Sequence, residues 1–393
     1  MIYALLTVFM FLLSYKYDIL GHKKDKLFFY FLLLGILILF AGLRYRVGSD
    51  TIVYIGQFKY IPPIDKIFSI GLDKFTQRPL WIIYFSFFKY LGSFYLLQLS
   101  NAIVVNCSYF AFAKKNTKNW FTFIFLYYII YYIGMNFEIM REALASSVAI
   151  WGFKYLEQKK WIKYYLIAFI SFNIHESAVI LFVLPFVYNA KLNIKTWTII
   201  LVLFSTILLT FQTKIDQANT ILTLFLGESS ILISKFNVYN SMDNTHNLNY
   251  FMNFWYLPLF CIPLFIIYSK LRLNMTVRNL NLIYISSFLT ILMALMSVLG
   301  RFSNYLNVFV LIFISDFMVE LINRKSLRPK FIFMIIFIVF ISPSIIIKYQ
   351  SRYGDGRFYS KYYPYSSVFN EFKDLQREKT ADDLSGYKIF KYY

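Results

Sequence analysis

The sequence predicts an all-α fold, a polytopic membrane helix bundle of about 12 spans. Three observations carry that expectation. The 393 residues are 59% hydrophobic and 15% charged, where a soluble domain is about 25% charged. The apolar residues fall into runs, many close to the roughly 17–25 residues that cross a bilayer. The positive charge, 40 Lys/Arg against 20 Asp/Glu, gathers in short loops between those runs. That is the pattern of cytoplasmic loops rather than of a nucleic-acid surface, so no nucleic-acid partner is expected.

In order, the runs are 2–15, 28–43, 94–113, 120–134, 137–156, 161–174, 176–188, 196–212, 251–269, 280–299, 302–323 and 330–347. The first has no basic segment before it and no small-residue cleavage site after it, so it reads as a retained helix. Segment 79–91 is apolar but short and rich in aromatics, and reads as a helix lying in the membrane interface. The pair 161–174 and 176–188 is flanked by Lys159, Lys160 and Lys163 on one side and by Lys191 and Lys195 on the other. A hairpin that goes out and returns keeps both basic flanks inside. Its tip, Ile174-His175-Glu176-Ser177, then lies at the outer face. The short arms also fit a re-entrant hairpin.

The loops 16–27, 114–119, 157–163, 189–195, 270–279 and 323–330 are dense in Lys and Arg and should face the cytoplasm. Twelve crossings put both termini outside, at the periplasmic face of a bacterial inner membrane. The domain plan is a transmembrane bundle over 1–347, with outer-face loops 44–93 and 213–250, and a Tyr-rich outer-face tail over 348–393. Segments of this length are usually functional or disordered.

Several chemistries are absent from the sequence. Cys107 and Cys261 lie in apolar runs and form no metal-binding spacing. There is no GxxxxGK[ST] loop, no GxGxxG and no GxSxG. His175-Glu176 starts like a zinc-protease helix, but Val179 stands where the second His would be. No DxD occurs. ATPases, zinc proteases and nucleotide-sugar transferases are disfavoured, and neither a metal nor a cofactor is expected.

Four polar clusters remain, all at outer helix ends under this topology. The first is Arg44-Tyr45-Arg46-Val47-Gly48-Ser49-Asp50-Thr51, followed by Tyr54. Its arginines could simply snorkel and Asp50 could cap a helix; the functional reading is an anion site beside an acid. The second holds Glu138, Arg141, Glu142 and Ala145, which fall on one helical face. A Glu138–Arg141 ion pair is the plain reading. Yet a charge one turn inside an apolar helix usually faces a polar cavity. The third is Asn173-Ile174-His175-Glu176-Ser177, a polar hairpin tip. The fourth is Gly300-Arg301-Phe302-Ser303-Asn304-Tyr305, with Arg301 and Tyr305 at i and i+4. The planar guanidinium fork suits phosphate. Several arginines at one membrane level therefore suggest a lipid-linked phosphate or pyrophosphate.

With these motifs the chain resembles the EpsG-like branch of the Wzy-type polysaccharide polymerases. The matching elements are Leu43 to Asp50, Arg141-Glu142-Ala143-Leu144-Ala145, His175-Glu176-Ser177-Ala178, Arg301 to Tyr305 and Tyr363-Pro364-Tyr365. Glu142 departs from the pattern, which more often has Gln there. The resemblance implies a GT-C-like membrane glycosyltransferase. It would join undecaprenyl-pyrophosphate-linked oligosaccharide donor and acceptor at the periplasmic face, making O-antigen or a similar polysaccharide, with a chain-length regulator protein as a partner. Arg141 and Arg301 would stabilise the departing pyrophosphate, with Arg44 as a weaker third and Arg46, Tyr54, Glu138, Asn304 and Tyr305 around the substrate. His175 is the preferred base, because an unperturbed His titrates near pH 6.5; Asp50 is the second choice. Tyr363 and Tyr365 would stack on sugar rings. The alternatives are a flippase for lipid-linked oligosaccharide and an O-antigen ligase-like enzyme. A flippase needs charge along a cavity through the membrane, whereas here the charges sit at one face.

Overall fold

The computed structural model describes residues 2–191, 193–211, 257–273, 275–292, 300–323, 362–375 and 377–378. Among these residues the fold is all-α, with two isolated bridges, Arg44–Ser367 and Ser367–Asn370, and no strand. Among the described residues two helices are long and apolar enough to cross a membrane, Ile2–Ile19 and Phe94–Asn116, and several shorter apolar helices accompany them. The run 330–347 and the loop 213–250 lie outside the described residues. Two compact units emerge. The first holds the described residues up to Phe182, those from Ile314 to Asn323, and the segment from Tyr362 onward; the second holds those between Val183 and Phe313.

In the first unit, α1 (Ile2–Ser14) ends in a π turn over Tyr15–Ile19. Helix α2 (Lys26–Gly42) has no charge after Lys26 and buries Tyr30, Leu33, Leu37, Phe40 and Ala41 on one stripe. Helices α3 (Ser49–Tyr60), α4 (Ile64–Ile70) and α5 (Pro79–Tyr90) fill the stretch read from sequence as an outer loop. Helix α6 (Phe94–Asn116) starts on Ser93, whose hydroxyl accepts from the Leu96 N–H at 3.4 Å. Its contact with α2 is close: a side chain at Gly42 would put its Cβ 2.5 Å from Leu99 Cδ1.

Helix α6 carries Gln98, Asn101 and Asn106 on its buried face. Buried amides in an apolar helix need partners, and here they hold backbone at broken helix ends. Gln98 Nε2 donates to Gly42 O and Arg44 O, at 2.8 and 2.9 Å. Asn101 Nδ2 donates to Met140 O at 3.2 Å. Asn106 Nδ2 reaches Asn136 Oδ1 at 3.0 Å.

Helix α7 (Trp120–Tyr127) continues as π turns over Tyr128–Tyr132 and Gly134–Glu138. Ile139, at φ −89° and ψ 49°, breaks the ladder before α8 (Met140–Glu157). Sequence placed 137–156 in one helix; the structure puts Glu138 in the turn before it. Helix α9 (Trp161–Ile174) returns against α8, and a Cβ at Gly152 would stand 3.1 Å from Ile167. The run 176–188, read as the second arm of the hairpin, is a 3-10 helix over Glu176–Phe182 followed by α10 (Leu184–Tyr188). Pro185 sits in the first turn of α10, where its missing N–H does no harm.

The second unit contains α10, α11 (Ile194–Phe211), α12 (Leu257–Leu273), α13 (Leu280–Leu292), α14 (Gly300–Ser303) and the start of α15 (Asn307–Asn323). Asn281 is its hub. Its Nδ2 donates to Val187 O and Ala190 O at 3.0 and 2.8 Å, and its Oδ1 accepts the Trp197 indole N–H at 2.9 Å.

Candidate functional site

The first unit has two chemically distinct ends. Lys26, paired with Asp18, and Lys114, over the Trp120 ring, mark a lysine-rich end. At the other end lie the turn after α2, the α7–α8 break, the end of α9 and the segment from Tyr362. There the structure gathers Arg44, Asp50, Glu138 and Tyr362.

Arg44 is 1% exposed. Its Nε donates to Val47 O at 3.3 Å, Nη1 to Ala41 O, and Nη2 to Thr51 Oγ1 at 2.9 Å and Met140 Sδ at 3.4 Å. The Phe137 ring covers the guanidinium at 4.7 Å. Burial lowers its pKa below the ordinary guanidinium value, to about 10, so it stays charged at neutral pH. Its hydrogen bonds all go to the fold itself. Arg46, at φ 52°, is likewise engaged, in an ion pair with Glu378.

The backbone around Arg44 is sewn to distant segments. Tyr45 N–H donates to Ser366 O and Val368 N–H to Leu43 O, both at 2.9 Å, and Ser366 Oγ donates to Tyr45 O at 2.7 Å. Arg377, buried, donates to Arg46 O and Pro364 O at 3.0 Å. Tyr3 donates its hydroxyl to Tyr362 O at 2.8 Å. Gly48, at φ 98°, precedes α3 and lies against Phe137 O, where a Cβ would sit at 2.6 Å. Thr51 Oγ1 donates to Phe137 O at 2.6 Å.

Asp50 N–H donates to Glu138 Oε2 at 2.9 Å. The Glu138 carboxylate thus sits at the N-terminal end of α3, where a negative charge is favourable. Glu138 also hydrogen-bonds the Tyr362 hydroxyl. Burial, with Glu138 and Asp50 nearby, holds that hydroxyl protonated far above its usual range.

Glu138 is therefore not the partner of Arg141. Among the described residues Arg141 makes no hydrogen bond or ion pair, and its Nε is buried with no acceptor. Two more orphans lie on α6. Asn101, held to Met140 O, has a buried, unpartnered Oδ1, and Gln98, one turn earlier on α6, has a buried, unpartnered Oε1. Helix α8 starts here without a side-chain cap. The unpartnered Arg141 Nε thus stands one residue after Met140, whose carbonyl Asn101 holds, at an uncapped helix start.

His175 caps α9 and is 2% exposed. The register from Gly152 against Ile167 brings it level with the first turns of α8. Its Nδ1 accepts the Ser177 backbone N–H at 3.2 Å and lies 2.6 Å from Ser177 Oγ. Since Nδ1 accepts from a backbone N–H, the neutral ring carries its proton on Nε2. In this tautomer Nε2 is a donor, and Nδ1, the ring's acceptor, is engaged by Ser177.

Sequence reading missed Arg78, the residue before α5, whose guanidinium lies over the Phe172 ring at 4.1 Å, three residues before His175. Its signal is Gln77-Arg78-Pro79, a charged residue at a helix start. The amides of α6 were also missed, although polar residues inside an apolar run could have flagged them. Tyr54 packs on Trp81 with ring centroids 5.7 Å apart. Tyr365 stacks on Phe40 at 4.5 Å and donates to Phe40 O at 2.9 Å. This face of its ring serves packing. Tyr363 is 42% exposed.

Arg301, Asn304 and Tyr305 belong to the second unit. Helix α14 ends at Ser303, so Arg301 and Tyr305 do not share one helix as the i, i+4 spacing suggested. Asn304 Oδ1 accepts from Asn307 Nδ2 at 3.2 Å, and Tyr305 is 1% exposed. Among the described residues no group of three His, Cys, Asp or Glu side chains is arranged to hold a metal.

The fold and this site define an all-helical membrane protein with a polar, arginine-bearing end. The chain belongs to the EpsG family, whose family model matches residues 26–367. It is thus a membrane polysaccharide polymerase-like protein. No curated protein and no solved structure matches the chain.

Proposed function

We propose that this protein is a membrane glycosyltransferase that polymerises undecaprenyl-pyrophosphate-linked repeat units into O-antigen or a similar polysaccharide at the periplasmic face. The observation that carries the reading is Arg141, a guanidinium with no partner among the described residues, at the uncapped start of α8. Such a group is suited to a phosphate.

In the reaction an acceptor hydroxyl oxygen attacks the anomeric carbon of the donor sugar. The bond from that carbon to the pyrophosphate oxygen breaks, and pyrophosphate leaves with the electron pair. Arg141 stabilises the charge developing there. His175 Nε2–H is a second donor to the leaving group. The acceptor's proton goes to the Asp50 carboxylate, whose backbone N–H is fixed by Glu138. Arg301 and Asn304 are assigned to substrate by their motif. Uncharged Tyr362, hydrogen-bonded to Glu138, keeps the acidic pair oriented.

The test is a glycan gel of a strain lacking this protein. Loss of the long-chain ladder with a retained single-repeat band supports polymerisation. Loss of the single-repeat band as well would refute it, because repeat units would then not be reaching the outer face.

A further inference from the structure

A cavity lies far from this site, at the lysine-rich end of the first unit. Its volume is about 300 Å³, and it is lined by the last turns of α6 and α8. Three of its residues set its chemistry: Lys115, Lys154 and Glu157. The walls are apolar, from Phe112, Ile150, Trp151 and Phe153.

We propose that this cavity binds the phosphate headgroup of an anionic phospholipid. The charge fits. Two ammonium groups face one carboxylate, which leaves a net positive charge for a phosphodiester. Lys115 makes no hydrogen bond or ion pair among the described residues, and Lys154 makes only a ring contact, 4.7 Å above Tyr155. The wall fits as well. Trp151 is 49% exposed, yet its indole N–H donates to Ser108 Oγ at 2.9 Å, and Ser108 donates on to Val104 O at 2.8 Å. A pinned, half-exposed indole is the residue that favours the level of lipid headgroups.

The source of the phosphate follows from the same walls. A free phosphate would leave the aromatic and aliphatic wall exposed to water, whereas acyl chains cover it. Lysines in a last helical turn also complement the helix dipole, but that accounts for neither the cavity nor the pinned indole. The flanking loops 114–119 and 157–163 are the basic ones that the charge pattern places in the cytoplasm, where the leaflet is anionic. The inference rests on that placement and is independent of the polymerase reading.

The test is native mass spectrometry of the full-length protein in detergent, titrated with phosphatidylglycerol, phosphatidylcholine or inorganic phosphate. Wild type should retain phosphatidylglycerol in preference to phosphatidylcholine. Each basic residue near an anionic lipid contributes about five-fold to binding, so Lys115→Gln with Lys154→Gln should weaken retention about 30-fold. Glu157→Gln removes the opposing charge and should tighten retention, an effect that damaged folding does not produce. Equal retention of the two lipids, or no change in both the double variant and Glu157→Gln, would overturn the proposal. Inorganic phosphate displacing the lipid at millimolar concentration would overturn it in favour of a free-anion site. If the double variant does not fold, Glu157→Gln decides alone: tighter retention supports the site, and unchanged or weaker retention refutes it.

Discussion

Removing Arg141 should strengthen the fold and abolish the activity at once. Its Nε is buried without an acceptor, and a buried unsatisfied polar group costs about 1–3 kcal/mol. Arg141→Met keeps an unbranched stem and removes that group. The ligand-free protein should therefore gain about 1–3 kcal/mol, read as a rise of a few degrees in Tm for the protein in detergent. The same variant should make almost no polymer, because a fixed donor to developing charge is worth about 10²–10³ in rate. Arg141→Lys keeps the charge but loses the fork, and its ladder should be strongly shortened. Both readouts come from one membrane preparation. A lower Tm for Arg141→Met would mean that the guanidinium holds the fold together, and the reasoning from its orphaned Nε would be wrong. A higher Tm with a normal ladder would remove Arg141 from the mechanism.

Arg44 should behave in the opposite way: Arg44→Met abandons hydrogen bonds worth about 1.5–3 kcal/mol each to a charged group, and the protein level in membranes should collapse. Its lowered pKa means that the cost of burying the charge is fully present below about pH 10 and relieved as pH rises from there towards the ordinary guanidinium range. A melting profile at pH 6–9 should thus show no step from this group. Gly48→Ala places a Cβ 2.6 Å from Phe137 O at φ 98° and should cost roughly 1–3 kcal/mol in backbone strain alone, measured as a lower Tm. His175→Gln, which can still donate, should keep more polymer than His175→Ala, while Asp50→Asn should lose it; a dead Gln variant beside an active Asp50→Asn would restore His175 as the base. Arg301→Lys should shorten the ladder with the protein still in the membrane, and a wild-type ladder would reduce Arg301 to an anchor.

Helices whose apolar run ends at a charge or a cap were legible from sequence. The run 161–174 coincides with α9, and 28–43 lies within two residues of α2 at either end. The run 176–188 misled because hydropathy counts residues and not hydrogen bonds. Pro185 has no N–H to give to a helix continuing from Glu176, and the chain takes a 3-10 path first. Glu138 was placed on the face of α8 because one residue, Ile139, decides the break, and nothing in its side chain announces it. The polar residues of the site were visible as types, but not which of them the fold consumes. Arg44 and Arg141 look alike in sequence. Only the positions of Val47, Thr51 and Met140 around one, and the unpartnered Nε of the other among the described residues, separate a strut from a ligand-binding group.

The pairing of Tyr45 with Ser366 has a consequence for biogenesis. The two residues are 321 positions apart, so translation releases the turn that carries Arg44 long before the segment that locks it. During that interval α2 and α6 can insert and pack through Gly42 and Leu99, while residues 43–46 wait without their Ser366 and Val368 bonds. Completion of the polar end is thus coupled to late synthesis, and a chain stopped before Tyr362 would carry its arginines on an unfastened turn. Ribosomes stalled on either side of that point should yield membranes with the same early helices and different protease resistance at Arg44 and Arg46.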